Sequence, residues 1–222
     1  MNKIAIIPVK HTSERIKNKN FRPFYNNLSL LEIKIIQLIN SKQFNKIIIS
    51  SNSEIAKGIS RKYKKDVEFH YRHKKYSNNQ IEWYEVISEV VRGKKIKKKD
   101  VICWCHVTSP FFKKYKNIVD KFLRLESRYD SIVAVNKFRG FLLNSNLDPV
   151  NYQFGQWHKY SQYLSKYYSV NGACFCLRKE TIDKMKYLIG KKPNVLICSD
   201  LESLDLDTNL DFKVAQILFK KK

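Results

Sequence analysis

Asp200, Glu202, Asp205, Asp207 and Asp211 place five of the chain's 20 acidic residues within twelve positions of an otherwise basic sequence. In an extended segment residues two apart point to the same side, so Asp205 and Asp207 can present both carboxylates to one hard cation such as Mg²⁺. Asp211 reads differently: Thr208-Asn209-Leu210-Asp211 has the spacing of a capping box, which assigns that carboxylate to a helix start. Near the other end, Lys10, Arg15, Lys17 and Lys19 crowd a loop with His11, Thr12 and Ser13, where Glu14 is the one carboxylate. Such a loop, following an apolar strand, suits anionic oxygens. A metal-binding carboxylate pair plus a cationic loop describes phosphoryl or nucleotidyl transfer, in which metal and cations neutralise charge while a nucleophile attacks in line. The chain has no Walker loop, G-x-G-x-x-G, H-E-x-x-H or G-x-S-x-G. With six glycines in all, side chains must do most of the phosphate binding.

Other candidates compete with plainer roles. His106 and Thr108-Ser109-Pro110 end a central strand and face the expected ligand position, although such a turn also ends a strand with no function attached. His70 and His73 flank Arg72 and, with no third ligand nearby, read as surface histidines. Cys103, Cys105, Cys174, Cys176 and Cys198 sit among apolar residues; i, i+2 spacing within strands reads as core packing rather than a zinc site. Their odd number and the lack of a signal-peptide pattern predict reduced thiols in a soluble, cytoplasmic protein.

The elements that must position these residues follow from periodicity. Ile4 to Val9 is a short apolar run suited to a buried parallel strand. Leu28 to Leu38 has helical spacing, Lys46 to Ser50 is a second strand, and the Ser51-Asn52-Ser53-Glu54 stretch caps a helix through about Tyr63. Val67 to Phe69 is a third strand, and Gln80 to Val91 a helix with Trp83, Val86, Ile87 and Val90 inward. Val101 to Val107 is the central strand, followed by a helix over Lys114 to Leu125 and a strand over Ser131 to Val135. Residues 138–170, rich in Tyr, Phe and Trp157, break the pattern as a dimerisation or lid excursion. The alternation resumes with a strand over Gly172 to Leu177, a helix from Lys179, a strand at Val195 to Ile197 and a last helix from Leu210 to Phe219. Residues 1–222 thus form one α/β domain, a Rossmann-like three-layer α/β/α sandwich on a mainly parallel sheet.

Hydrophobic residues at 43% and charged residues at 28% are ordinary for a folded domain. The net charge of +23 attracts polyanions, anionic membranes or phosphorylated small molecules without choosing among them. The runs Lys94 to Lys99 and Lys220 to Lys222 read as solvated surface.

Several blocks resemble one family in order along nearly the whole chain. Ile6-Ile7-Pro8-Val9-Lys10 through Arg15-Ile16-Lys17-Asn18-Lys19-Asn20 resembles the amino-terminal signature of the CMP-sialic acid synthetase (acylneuraminate cytidylyltransferase) family, I-P-A-R-G-G-S-K-R-I-P-G-K-N. Ile48 to Ala56 is similar to V-V-S-T-D-S-E-x-I-A, Val107-Thr108-Ser109-Pro110 to Q-P-T-S-P, Asn171-Gly172-Ala173 to N-G-A, and Asp205 to Phe212 to D-I-D-T-E-L-D-F. The resemblance implies a Rossmann-like fold, a homodimer, Mg²⁺, and transfer of CMP from CTP to an acidic nonulosonate sugar with release of pyrophosphate, for surface glycan synthesis. By position it implies that Lys10 and Lys19 bind the triphosphate with Ser13 and Arg15 lining the loop, that Asn20 and Arg72 bind the nucleoside, and that Asp205 and Asp207 bind the metal. Thr108, Asn171 and Gln162, the last in Tyr160-Ser161-Gln162, would face the sugar, with His106 near the family's glutamine.

The departures bear on substrate. Lys10 replaces an arginine, His11-Thr12 two glycines, Glu14 a lysine and Asn52 an aspartate. Lysine binds phosphate as a point charge without the two-pronged fork of arginine. Tyr160 and Ser169 stand where sialic acid synthetases commonly carry arginines, which leaves the acceptor open. A cytidylyltransferase using a phosphate- or phosphonate-bearing acceptor to give a CDP-linked product is the alternative. A non-catalytic, basic nucleic-acid-binding protein is a third reading, drawn from the charge and the aromatic excursion. The clustered carboxylates argue against it.

Overall fold

The computed structural model describes residues 1–13, 15–77, 80–164 and 167–221, and of Trp157 the backbone only. Glu14, Lys222 and the Trp157 side chain therefore lie outside it. The first strand, β1 (Lys3–Val9), alternates its side chains: Ala5, Ile7 and Val9 enter one core, Ile4 and Ile6 the other. Burial on both faces is what makes the run continuously apolar rather than alternating.

After the basic loop comes a short hairpin that periodicity alone does not predict, β2 (Pro23–Tyr25) and β3 (Leu28–Ser29). Asn26 and Asn27 turn it with positive φ angles of 46° and 59°, a conformation asparagine tolerates. The expected first helix accordingly starts two residues late, as α1 (Leu30–Ser41), capped by Ser29 and Glu32 in a reciprocal box. Then follow β4 (Lys46–Ser51), α2 (Glu54–Lys62), β5 (Val67–Tyr71), α3 (Trp83–Gly93), β6 (Val101–Cys105), α4 (Tyr115–Leu125) and β7 (Ser131–Lys137). The chain closes with β8 (Tyr168–Arg178), α5 (Lys179–Met185), β9 (Pro193–Ile197) and α6 (Asn209–Lys220).

Strand order in the main sheet is β5-β4-β1-β6-β8-β7-β9. All pairings are parallel except those of β8, which runs antiparallel to both β6 and β7. Helices α1, α2, α4 and α6 cover one face, and α3 and α5 the other. This is the three-layer sandwich with a mainly parallel sheet. Because β1 lies between β4 and β6, successive crossovers leave it in opposite directions, which opens a crevice at the carboxyl ends of β1 and β6.

Trp83, expected inward, is 37% exposed at the first turn of α3, while Val91 takes the buried position at the other end. All five cysteines are free and buried; Cys105 and Cys174 face each other across β6 and β8 with sulfurs 3.8 Å apart. The excursion between β7 and β8 carries its own ring cluster, with Phe141 stacked on His158 at 4.8 Å and edge-on to Tyr152 at 4.9 Å. Asn151 ties its base, donating to Gly140 O and accepting from Leu142 N, both at 2.8 Å. No helix among the described residues is long and apolar enough to cross a membrane.

Candidate active site

The crevice between the ends of β1 and β6 holds a cleft of about 620 Å³. Lys10, Ser13, Arg15, Lys19 and Asn20 line one wall and His106 and Thr108 the other. The basic loop is fixed at three places. Buried Ile16 anchors it in the core, Asn20 Nδ2 donates across it to Lys10 O at 3.4 Å, and His11 is held from outside. There, His11 N donates to Asn52 Oδ1 at 3.0 Å and its Nδ1 lies 3.0 Å from Ser53 Oγ, so the turn that caps α2 also pins the loop. With His11-Thr12 in place of glycines, side-chain contacts supply the shape that a flexible backbone would otherwise adopt.

The carboxylates arrive from the far end of the sequence. Leu206 N donates to Thr108 O at 3.0 Å, and Lys19 Nζ donates to Leu206 O, which clamps the Asp205-Leu206-Asp207 segment between the loop and the end of β6. Asp207 Oδ1 lies 2.9 Å from the Arg15 guanidinium and 3.8 Å from Lys19 Nζ. Asp205 is more enclosed: burial raises its carboxyl pKa, a hydrogen bond from Thr108 opposes the rise, and the Asp207 charge adds to it. Its Oδ1 is buried with no hydrogen-bond partner among the described residues. Burial lowers the Lys19 pKa, against the pull of Asp207 and Asp205. Asp211 performs its expected capping role and more, since its Oδ2 accepts from Thr208 N at 2.7 Å and from Asp207 N at 3.1 Å.

Two carboxylates, one with an orphaned oxygen, fit Mg²⁺, which is usually held by one or two carboxylates plus substrate phosphates rather than by an all-protein cage. No cluster of three or more His, Cys, Asp or Glu that could hold a metal occurs among the described residues.

Arg72 lies in a side cavity of about 350 Å³ that shares Pro8, Lys10 and His106 with the main cleft and is walled by Trp83 and Trp104. Only 2% exposed, its guanidinium donates to Val9 O at 2.8 Å, and burial lowers its pKa to about 10 against the nearby Glu89 charge. His70, expected on the surface, is buried: its Nδ1 is 3.2 Å from Ser50 Oγ and its Nε2 3.5 Å from Glu89 Oε2. A Cβ on Gly93 would come within 2.4 Å of that Nε2, so any other residue there would displace the His70 ring. The Ser-His-Glu order mimics a nucleophile and its base, but Ser50 is fully buried and no substrate reaches it. His73 is exposed.

Two expected substrate contacts lie elsewhere. Gln162 occupies an exposed turn, Ser161–Tyr163, in the excursion and does not line the cleft. Asn171, on β8, spends its amide within the fold, donating to Ser203 Oγ at 3.3 Å and accepting from Ala173 N at 3.1 Å. Tyr160 is 76% exposed, and Ser169 is an exposed partner of Asn136 in the β7–β8 ladder. Conversely, Lys34, which no motif marks, supports the site. Fully buried, it donates to Ser109 O at 2.9 Å and Tyr115 Oη at 2.8 Å behind the Thr108-Ser109 turn, with its pKa lowered to about 8 by burial. Its place three residues after Leu31 and four before Leu38, on the inward face of α1, was the available signal.

The chain is similar to several known proteins. The chain is 24% identical over 229 residues to post-translational flagellin modification protein B of Campylobacter coli, covering 99% of this chain and 95% of the relative. It is also 24% identical to CMP-N,N'-diacetyllegionaminic acid synthase of Campylobacter jejuni, with 99% and 95% of the two chains covered. The 4-diphosphocytidyl-2C-methyl-D-erythritol synthase structure from Anaerococcus prevotii superposes with a TM-score of 0.69 at 13% identity over 98% of both chains, a likeness of fold. The family model for cytidylyltransferases matches residues 4–186, from the strand before the basic loop to the end of α5, and the chain belongs to the cytidylyltransferase family.

Proposed function

We propose that this cleft transfers CMP from CTP to the anomeric hydroxyl of an acidic nonulosonate sugar, releasing pyrophosphate. Cytidylyl transfer follows from the family; the acceptor, the metal and the individual residue roles are the proposal. The observation that carries it is the meeting of the basic loop with Asp205 and Asp207, through Arg15 at 2.9 Å from Asp207 and an unpartnered Asp205 oxygen. A relative that makes a CMP-linked legionaminic acid supports the choice of acceptor.

In this reading Lys10, Ser13, Arg15 and Lys19 bind the triphosphate, and Asn20 and Arg72 the nucleoside. Asn20 has a buried Oδ1 with no partner among the described residues, a free acceptor for a ligand N–H or O–H. Asp205 and Asp207 hold Mg²⁺, which when bound neutralises phosphate charge. The sugar hydroxyl attacks the α-phosphorus in line, its proton passing to solvent, while the bond to the β-phosphate breaks and pyrophosphate leaves, and Lys10 and Lys19 stabilise the charge that builds on the phosphate oxygens. Thr108 orients Asp205 through its hydrogen bond, and His106 and Thr108 border the sugar. Gln162 and Asn171 would contact the sugar only with rearrangement or from a second subunit. A homodimer joined through 138–170 brings one protomer's exposed turn to its partner, and the apolar surface of Phe154, Tyr160 and Tyr163 suits such a contact.

Pyrophosphate release is the test, measured with CTP, Mg²⁺ and nonulosonic acids including N-acetylneuraminic and N,N'-diacetyllegionaminic acid. Release with one of them is expected. Release only with phosphate-bearing acceptors would transfer the site to CDP-linked products. No release and no thermal stabilisation by CTP, with nucleic-acid binding that survives moderate salt, would overturn the enzyme reading.

A further inference from the structure

Trp104, at the penultimate position of β6, is fully buried in the core under α3 and α5, and its Nε1 stands 3.2 Å from His106 Nε2. An indole nitrogen can only donate. Nε2 must therefore accept, and a neutral imidazole accepting at Nε2 carries its proton on Nδ1. A second proton would set two N–H groups against each other, so this contact opposes the imidazolium by geometry alone. Burial opposes it too, and the Lys34 and Lys19 charges add to that. Trp83 and Phe175 flank the ring at centroid distances of 6.1 and 6.2 Å and limit its rotation.

The other nitrogen lies toward β8. Beside Nδ1 runs Gly172 with φ of +71°, where a Cβ would lie only 3.1 Å from that nitrogen. Among the described residues no acceptor bonds to Nδ1, and the ring borders both the main cleft and the Arg72 cavity.

We propose that Trp104 is a positioning residue that locks His106 as the uncharged Nδ1–H tautomer, so that the cleft offers its sugar substrate a fixed neutral donor for a hydroxyl or amide carbonyl oxygen. The substrate half of this statement rests on the cleft being the acceptor site proposed above; the tautomer half does not. A neutral donor discriminates differently from the cations of the basic loop, because it rewards an oxygen lone pair without rewarding negative charge.

Nitrogen-15 spectra of ligand-free, histidine-labelled protein test the lock without any activity. His106 should show a protonated Nδ1 and a bare Nε2 from about pH 5.5 to about 7.5, the range in which an ordinary histidine titrates. A proton on Nε2, or an imidazolium in that range, overturns the proposal. Trp104→Phe keeps an aromatic ring and removes the donor; it should mix the tautomers and raise KM for the nonulosonic acid that turns over by about 3- to 10-fold, with KM for CTP unchanged. In a His106→Gln background, which has no tautomer to set, Trp104→Phe should leave the acceptor KM where it was. An equal effect in both backgrounds would make Trp104 merely structural and sink the assignment. If the lock is seen but no nonulosonic acid turns over, the proposed acceptor fails, the sugar-donor role falls with it, and the tautomer assignment stands.

Discussion

Asp205 and Asp207 are separated by a single leucine yet sit in different electrostatic surroundings. Asp207 is balanced by Arg15 and Lys19, whereas Asp205 is pushed toward its neutral form by burial and keeps an unpartnered oxygen. A carboxylate whose folded pKa is raised stabilises the fold when protonated, and that contribution is lost as pH rises from its unfolded value through its higher folded value. At neutral pH, Asp205 therefore costs stability. Asp205→Asn should leave the thermal midpoint at or above that of the native protein while lowering kcat by about 100-fold or more, the loss typical of removing one group that manages transition-state charge. Thermal unfolding and pyrophosphate release on the same preparation check this. A large fall in midpoint with little loss of activity would mean that Asp205 is structural.

At the scale of elements, the start of α6 does two jobs. Thr208 and Asp211 cap the helix reciprocally, and the same Asp211 oxygen accepts from the backbone N–H of Asp207. Thr208→Ala should cost about 0.5–2 kcal/mol by chemical denaturation. With Asp207 as the proposed Mg²⁺ ligand, it should also raise the Mg²⁺ concentration needed for half-maximal turnover, because the cap sets the Asp207 backbone. The β2–β3 hairpin reaches the same helix, with Phe24 edge-on to Phe212 at 5.2 Å and to Phe219 at 5.3 Å. Phe24→Ala should cost about 3–5 kcal/mol, measured as a shift in denaturant midpoint, since Phe24 is 2% exposed and leaves a cavity between loop and helix.

At the scale of the whole molecule, the +23 charge and the buried histidines govern stability against salt and pH. Self-repulsion among so many lysines should be screened by added salt, so the thermal midpoint should rise between low salt and about 0.5 M NaCl. Burial lowers the pKa of His70 from 6.5 to about 4. Between those values the unfolded chain holds a proton that the native state does not, so stability falls as the solution is acidified through that window. Allowing for solvent screening, His70 contributes about 1–2 kcal/mol of that fall. Urea titrations across the window should show a shallower slope for His70→Asn. The α/β order, the cap on α6 and the carboxylate pair were legible in the chain because each is encoded within a few residues by periodicity, turn chemistry or spacing. The ordered blocks added cytidylyl transfer. Folding alone decided that Lys19 reaches Leu206 across 187 positions, that β8 runs antiparallel, that Lys34 and His70 are buried, and that Gln162 and Asn171 lie outside their own cleft. Local windows carry which face is apolar; which distant segments meet depends on the order in which crossovers lay the strands down, and no short stretch of sequence contains that order.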